Sequence, residues 1–157
     1  MKMAAYAVIR VLGQVGVAYD IQHTMRLLGV NRANHCSVVP VNDSTTGMLN
    51  VVKDYCTFGV IDKETLAQMI RERGMSVGDR PITDDYVKGN SEFADIAALA
   101  EAVAAGEASF RDVKGMKTVF RLHPPIKGYE GNKRPYKTGG ALGNRGDNIN
   151  DLIKRML

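Results

Sequence analysis

The sequence has few cysteines and no long hydrophobic run. A membrane-spanning helix needs about 20 consecutive apolar residues, and the 157 residues contain no such run. The apolar stretch near the start is interrupted by Arg10, so it does not match a secretory signal. Cys36 and Cys56 are far apart and lack the Cys-x-x-Cys spacing of metal and redox sites. These absences predict a cytoplasmic protein with no membrane contact and two reduced, buried thiols.

The motifs of common catalytic and metal sites are also missing. No Gly-x-Ser-x-Gly motif and no convincing triad are present. The glycines of GGALGNRG precede a helix, but this stretch lacks the lysine of a P-loop and the strand directly before it. His23, His35 and His123 do not have the spacing of metal ligands. We therefore expect no catalytic residue, no cofactor and no metal.

Residues 1–74 alternate between strand and helix signals in the order β-α-β-α-β-α. Apolar and polar residues alternate in the strands, and apolar residues recur every three or four positions in the helices. Strands are predicted at 6–12, 35–41 and 56–61, with helices capped by Asp20, by Ser44 or Thr45, and by Asp62 and ended by Gly29 and Gly74. This alternation favours an α/β (α+β) fold with helices packed on a sheet.

Residues 75–157 are predicted to form a C-terminal extension to this core. We expect a connection at 75–90, a helix from Ser91 to Gly106, a strand at 117–122 and a last helix capped by Asp147. Between the last two elements, residues 121–146 contain six glycines and three prolines. Glycine is costly to order and proline lacks a backbone donor, so this segment is expected to be a loop that does not pack by itself.

Positive charge is concentrated in the same part of the chain. Residues 114–145 contain eight Lys or Arg against one Glu, a net +7, whereas the rest of the chain has a net −3. Residues 79–112 are the acidic counterpart, with eight acids against three basic residues. A localised basic segment favours contact with a polyanion. Tyr129 and Tyr136 lie among the lysines, an arrangement that allows bases to stack while cations hold phosphates.

Three stretches of the sequence resemble a known family. They are LLGVNR followed by NHCSVVP, then TTGMLNVVKDYCTFG, and last RLHPPIKGYEGNKRPYKTGGALG. They resemble the archaeal members of the L-thirty family of large-subunit ribosomal proteins, whose eukaryotic relative is called L-seven. The resemblance implies a ferredoxin-like βαβαβ core with an archaeal-type extension made of a helix, a strand, a basic glycine-rich loop and a final helix.

The resemblance also implies a structural, non-enzymatic role. The protein would be a constituent of the large ribosomal subunit in the cytoplasm, with large-subunit ribosomal RNA as its partner and no small-molecule substrate. A 5S-type ribosomal RNA and neighbouring ribosomal proteins are further candidate partners. Binding would act by charge neutralisation and shape fit, with little base-specific readout.

The residues expected to contact RNA come from the family motifs and from the charge pattern. Glycines, cations and aromatic rings make up most of the set, because they approach, neutralise and stack on RNA. The set is Gly13, Gly16, Arg32, His35, Thr46, Gly47, Arg121, His123, Lys127, Tyr129, Lys133, Arg134, Tyr136, Lys137, Gly139, Gly140 and Arg145. Thr46 stands where short bacterial relatives have an arginine, so no charged contact is expected there.

Two other functions stay open on the residues alone. An RNA-processing or nucleotide-dependent enzyme would use His123 with Lys127. A regulatory module would bind a small ligand in its α/β body, and its thermal shift would not depend on salt. RNA affinity that falls steeply with salt separates the structural function from both.

Overall fold

The computed structural model describes residues 4–13 and 15–157, with the side chain of Asn132 left out. In chain order the strands and helices are β1 (Ala5–Arg10), α1 (Tyr19–Leu28), β2 (His35–Pro40), α2 (Asp43–Val52), β3 (Cys56–Val60), α3 (Lys63–Arg73), α4 (Asp84–Asn90), α5 (Ile96–Ala104), β4 (Val119–Arg121), β5 (Gly131–Pro135), β6 (Gly140–Asn144) and α6 (Ile149–Met156). Short 3-10 turns lie at Phe110–Asp112, Tyr136–Thr138 and Gly146–Asn148.

The strands form a mixed sheet in the order β4-β2-β1-β3-β6-β5. The central strand β1 runs antiparallel to β2 and β3, with Ala7 opposite both Val38 and Gly59. Strand β4 pairs antiparallel with β2, whereas β6 pairs parallel with β3. The α/β fold class, with its βαβαβ core, is therefore confirmed, and the extension widens the sheet on both sides.

Each face of the sheet carries its own apolar layer. Because side chains alternate along a strand, Val8 packs with Met25 and Leu49 under α1 and α2. Its neighbours Ala7 and Ile9 point to the other face, where α3, α5 and α6 cover them. Burying one large apolar side chain contributes about 1.5–3 kcal/mol, so these two layers are the main stabilising feature of the fold.

Helix caps account for some of the predicted boundaries and correct others. Asp62 accepts a hydrogen bond from the Thr65 amide and starts α3, as expected, and Gly29 ends α1 in the left-handed conformation. The predicted caps of the other early helices were wrong. Helix α2 starts from Asn42, which forms a capping box with Thr45, and Asp20 lies inside the first turn of α1. The capping box satisfies two backbone donors, because Asn42 Oδ1 accepts from the Thr45 amide and the Thr45 hydroxyl accepts from the Asn42 amide.

Helix α4 was not predicted, and the start of α5 was placed too early. Thr83 caps α4 inside the region assigned to a connection, and Asp95, not Ser91, caps α5. Helix α4 has seven residues, of which Val87 is buried, so its apolar period is too short to recognise.

The glycine-rich segment was expected to be a loop, and this prediction is wrong in part, because the segment contains the strands β5 and β6. Ala141 and Leu142 are buried, and Thr57 of β3 pairs with Gly143 of β6. A Cβ at Gly140 would overlap the Arg134 backbone. The glycine therefore allows two backbone segments to approach closely, and backbone pairing replaces the side-chain packing that the segment lacks.

The division into a core at 1–74 and an extension at 75–157 stays a prediction. The two parts share one apolar layer, which contains Ile9 and Leu66 from the first part and Phe120 and Ile149 from the second. In the part of the chain that the structure describes, no helix has the length and apolar character to cross a bilayer.

Candidate nucleic-acid interface

Several of the predicted RNA-contacting residues meet at one end of the sheet. Strand β1 ends there and β2 and β3 begin there, because Ile9 pairs with Cys36 and Arg10 pairs with Cys56. Strand β4 ends at the same place, with Arg121 opposite His35. We call this region, with the loops that carry Gly13 and Arg32 and the start of β5 and β6, the basic end.

Arg10 organises the loops of the basic end from inside. Its side chain is buried, and the guanidinium donates hydrogen bonds to four carbonyl oxygens. These belong to Leu12 at 3.0 Å, Gly13 at 3.2 Å, Val30 at 3.2 Å and Asn31 at 2.9 Å. Burial lowers the pKa of Arg10 from its usual value, but an arginine stays protonated in proteins. One buried cation thus ties the turn after β1 to the loop after α1.

The glycine turn after β1 is described in part. Gly13 and Gly16 are exposed, and Gly16 has a φ of 76°, in the left-handed region that favours glycine. Gln14 lies outside the described residues. The side chain of Arg32 follows on the neighbouring loop and is exposed. The exposed glycine backbone and the exposed Arg32 side chain can therefore contact the same anion.

His35 lies among cations and is half-buried. Burial, followed by the charges of Arg121, Arg32 and Arg10, lowers the pKa of His35 below its usual value. Its Nδ1 atom is buried and has no hydrogen-bond partner among the described residues. The lowered pKa favours the neutral imidazole of His35, and the arginines around it supply the positive charge.

An acidic residue moderates the charge beside β4. Lys117 donates a hydrogen bond from Nζ to Asp79 Oδ1 at 2.6 Å, and Arg121 Nη1 lies 3.8 Å from the same oxygen. The hydrogen bond and charge of Lys117 and the charge of Arg121 lower the pKa of Asp79. Arg121 keeps a largely exposed side chain, so it stays open to a further anion.

Helix α6 fastens the turn that carries Lys127. Arg155 donates hydrogen bonds to the carbonyl oxygens of Ile126 and Gly128, both at 3.4 Å. Lys127 itself has a φ of 69° and is exposed at the tip of the turn. The exposed His123 is held by its amide, which donates to the Met156 carbonyl at 3.0 Å.

Two residues of the predicted set have partners inside the protein. Arg145 is buried and donates to Thr57 Oγ1 at 2.9 Å, to the Ala141 carbonyl at 3.0 Å and to Glu130 at 3.3 Å. Tyr129 is half-buried, and its hydroxyl donates to Asn34 Oδ1 at 2.6 Å. In this structure both residues hold the basic segment against the sheet.

Strand β5 and the turn after it present the exposed cations of the basic segment. Lys133, Arg134 and Lys137 are all exposed. Between them Tyr136 is half-buried: Asn148 donates to its hydroxyl at 2.7 Å, and the Arg145 guanidinium carbon lies 5.0 Å from its ring centroid. Gly139 then ends the turn with a φ of 88° and leads into the buried Gly140.

Thr46 and Gly47 do not join the basic end. They lie in the first turns of α2, which follows the opposite end of β2, and both are exposed. An RNA contact there would be a separate one.

Sequence reasoning missed the residues that position the others. In the sequence Arg10 only interrupts an apolar stretch and Arg155 lies in a helix pattern, yet both fix loops of the basic end. For Arg10 a signal exists: a charged residue in a strand whose neighbours are all apolar needs a buried partner. Among the described residues no group of three His, Cys, Asp or Glu is placed to hold a metal ion.

Comparison with known proteins identifies the family. A sequence profile described as Ribosomal protein L30p/L7e matches residues 6–56. The large ribosomal subunit protein uL30 of Methanococcus vannielii is 49% identical over 155 residues, which are 98% of this chain and 99% of the relative. Proteins of the same name from Methanocella arvoryzae and Methanoculleus marisnigri are 47% and 45% identical, each over 96% of this chain and 99% of the relative. The chain belongs to the L30p/L7e family.

The family profile matches only part of the basic end, whereas the relatives match nearly all of the chain. The L30p/L7e profile spans β1, α1, β2 and α2, which contain or adjoin Arg10, Arg32 and His35. Strands β4, β5 and β6 lie beyond it, but the archaeal relatives extend over nearly the whole chain. The resemblance stated from the sequence is therefore confirmed, and with it the expectation of a non-enzymatic protein.

Proposed function

We propose that this protein is a structural constituent of the large ribosomal subunit and that its basic end binds large-subunit ribosomal RNA. The assignment to the subunit follows from relatives that carry the name large ribosomal subunit protein. Those relatives are archaeal, and archaeal ribosomes are cytoplasmic. The RNA contact is supported by one observation above all, which is that exposed cations share one end of a sheet whose loops are tied by buried arginines.

The mechanism is neutralisation of phosphates on a preformed surface. Each cation that meets a phosphate releases condensed counterions, so the affinity falls with salt. Because the loops are already fixed by Arg10, Arg145 and Arg155, ordering them on RNA costs little conformational entropy. The proposed contacts at the basic end are Gly13, Gly16, Arg32, His35, Arg121, His123, Lys127, Lys133, Arg134, Tyr136, Lys137 and Gly139.

Five residues of the sequence-based set have a different place in this proposal. Arg145 and Tyr129 hold the segment from inside, and the backbone of Gly140 packs on Arg134. Thr46 and Gly47 form a second, separate contact at the other end of the sheet. A 5S-type ribosomal RNA or neighbouring ribosomal proteins are the further partners that we propose.

The experiment compares two variants with the same change of charge. In the first, Lys133, Arg134 and Lys137 of the basic end are changed to Glu. In the second, the exposed residues Lys63, Arg71 and Lys88 on α3 and α4 are changed to Glu. Binding to a large-subunit ribosomal RNA transcript is measured by filter retention between 50 and 400 mM KCl.

The wild-type log–log plot of affinity against salt is expected to have a slope of several units. The first variant loses about 100-fold in affinity at the lowest salt and about 2 units of slope, whereas the second stays within about threefold. Equal losses in both variants would contradict the assignment of the interface. No RNA affinity of the wild type at low salt would contradict the function itself.

A further inference from the structure

We propose that the groove between the end of α2 and the β5–β6 pair holds one unstacked RNA nucleotide and favours guanine. This inference rests on the proposed RNA-binding function and adds base recognition at a defined place. Sequence-specific recognition of RNA targets unpaired bases that stack on aromatic rings and expose their polar edges. The groove offers a ring, hydrogen-bonding groups and cations together.

The groove has the size and floor of a small-ligand site. Its volume is about 390 Å³, within the range of about 300–1,000 Å³ that small-molecule sites occupy. Phe58 and Leu142, each mostly buried, contribute its apolar floor, and Tyr136 contributes a wall. An apolar floor with an aromatic wall suits the flat face of a base.

Tyr136 is held in place before any ligand arrives. Its hydroxyl accepts a hydrogen bond from Asn148 at 2.7 Å, and the Arg145 guanidinium lies over one ring face at 5.0 Å. Arg145 is itself fixed by Thr57 at 2.9 Å. A base would stack on the face opposite Arg145, and a preordered ring loses little entropy on binding.

The charges around the groove suit a nucleotide better than a simple anion. Lys53 and Lys137 line it from opposite elements and are exposed, so they can neutralise the phosphates that flank one base. Asp54 also lines the groove, and a carboxylate would repel a phosphate placed next to it. A carboxylate does accept hydrogen bonds from the N1–H and N2–H₂ groups of guanine, and this geometry underlies the expected preference.

Amide side chains complete the polar lining. Asn50 and Asn144 lie on the two walls. Asn144 accepts a hydrogen bond through Oδ1 from the Gly146 amide at 2.9 Å, so its NH₂ group is the part that can donate to a base. Asn50 is exposed on the last turns of α2, where a larger side chain has room to enter the groove.

The first experiment titrates the ¹⁵N-labelled full chain with GMP, UMP, ribose 5-phosphate and inorganic phosphate. GMP is expected to cause saturable shifts at the amides of Phe58, Leu142 and Gly143 and to bind at least fivefold more tightly than UMP. Equal shifts with ribose 5-phosphate or phosphate would overturn the inference, because the groove would then bind the phosphate alone. Absence of shifts with all four compounds would overturn it as well.

The second experiment uses variants of exposed residues. Asn50→Phe fills the groove and is expected to weaken GMP binding at least tenfold, whereas its neighbour Val51→Phe, outside the groove, stays within twofold. Asp54→Asn is expected to abolish the preference for GMP over UMP while the amide spectrum otherwise stays native. This variant decides the question even if Asn50→Phe does not fold, because a preserved preference would overturn the role of Asp54.

The two proposals fail in different ways. Wild-type protein that binds ribosomal RNA at low salt but gives no GMP preference overturns the groove alone. Wild-type protein that shows the GMP preference but does not retain the ribosomal RNA transcript overturns the proposed function instead.

Discussion

Arg10 and Arg145 belong to the scaffold of the basic end, whereas the arginines Arg32 and Arg121 beside them are exposed. The first two are buried, and both donate to oxygen atoms of the protein. Arg10 is satisfied by four carbonyls, whereas Arg145 also has a carboxylate partner in Glu130 at 3.3 Å. Removing one partner of such a buried polar set leaves the others without hydrogen bonds, which costs about 1–3 kcal/mol per group. Counting charges along the sequence does not distinguish such a buried arginine from an exposed one.

Gly59 is a residue at which one added methyl group has a predictable cost. A Cβ at this position of β3 would overlap the Gly146 carbonyl oxygen and lie 2.9 Å from the Ile149 Cβ. Gly59→Ala is therefore expected to lower the free energy of unfolding by about 1–3 kcal/mol, as overpacking of a core does. Urea unfolding followed by circular dichroism measures the change.

Gly89→Ala is the matched control for this substitution. Gly89 lies in α4, where an added Cβ would have no atom within 4 Å apart from its chain neighbours and the backbone of its own helix, and alanine is a better helix former by about 1 kcal/mol. The control is expected to be neutral or slightly stabilising. A Gly59→Ala protein as stable as this control would show that β3 and the start of α6 pack less closely than described.

At the scale of elements, β6 and β5 are expected to differ in protection although both belong to the basic segment. Strand β6 lies between β3 and β5, Leu142 is buried, and the Arg145 amide donates to the Phe58 carbonyl at 2.9 Å. Strand β5 is the edge of the sheet. Without RNA, we expect the amides of Leu142 and Arg145 to exchange at least 100-fold more slowly than those of Lys133 and Arg134.

Hydrogen exchange followed by NMR on the free protein measures this difference. Limited proteolysis is a second measure, and cuts are expected between residues 126 and 139 rather than throughout 126–146. Uniformly fast exchange from 131 to 145 would mean that the segment is ordered by RNA alone, as its composition first suggested.

The sequence predicted the elements that carry a side-chain period and missed those that do not. Strands β1 to β3 alternate, and α1 and α3 have apolar stripes with Gly29 and Asp62 as signals at their ends, so these elements were found. Strands β5 and β6 are held by backbone pairing of glycine-rich chain, which leaves no apolar pattern to read. For the interface, composition located the basic segment, but only the pairing of β2 with β4 shows that His35 and Arg121 are neighbours.

At the scale of the whole molecule, Glu130 joins the basic segment to the last helix. Its carboxylate lies 3.3 Å from Arg145 and 3.3 Å from Arg155 of α6. Burial by itself would raise the pKa of Glu130, but a backbone hydrogen bond and the two arginines outweigh it and hold the pKa below its usual value. A carboxyl whose pKa is lower in the folded state stabilises the fold above its unfolded pKa, which is about 4.3 for Glu.

The stability contributed by Glu130 is therefore complete at neutral pH. It is lost as the pH falls through the lowered pKa that Glu130 has in the folded protein. The wild type is expected to lose free energy of unfolding below about pH 4.3 more steeply than Glu130→Gln. Because the group is partly exposed, the difference between the two curves is small. Urea unfolding at a series of pH values measures the free energy of unfolding of the wild type and of Glu130→Gln. The control is Glu72→Gln, an exposed position on α3, which is expected to follow the wild type. Parallel curves for wild type and Glu130→Gln would exclude this ion pair as a stabilising contact.

The two free cysteines lie on opposite sides of the sheet. Cys36 belongs to the layer under α3, α5 and α6, and Cys56 to the layer under α1 and α2, where its Sγ lies 3.7 Å from Met25 Sδ. Burial raises the pKa of each thiol to about 12, so neither reacts with alkylating reagents while its own layer is closed. A brief pulse of iodoacetamide followed by peptide mass analysis thus reports separately, in one natural chain and without any introduced probe, which side of the protein opens first.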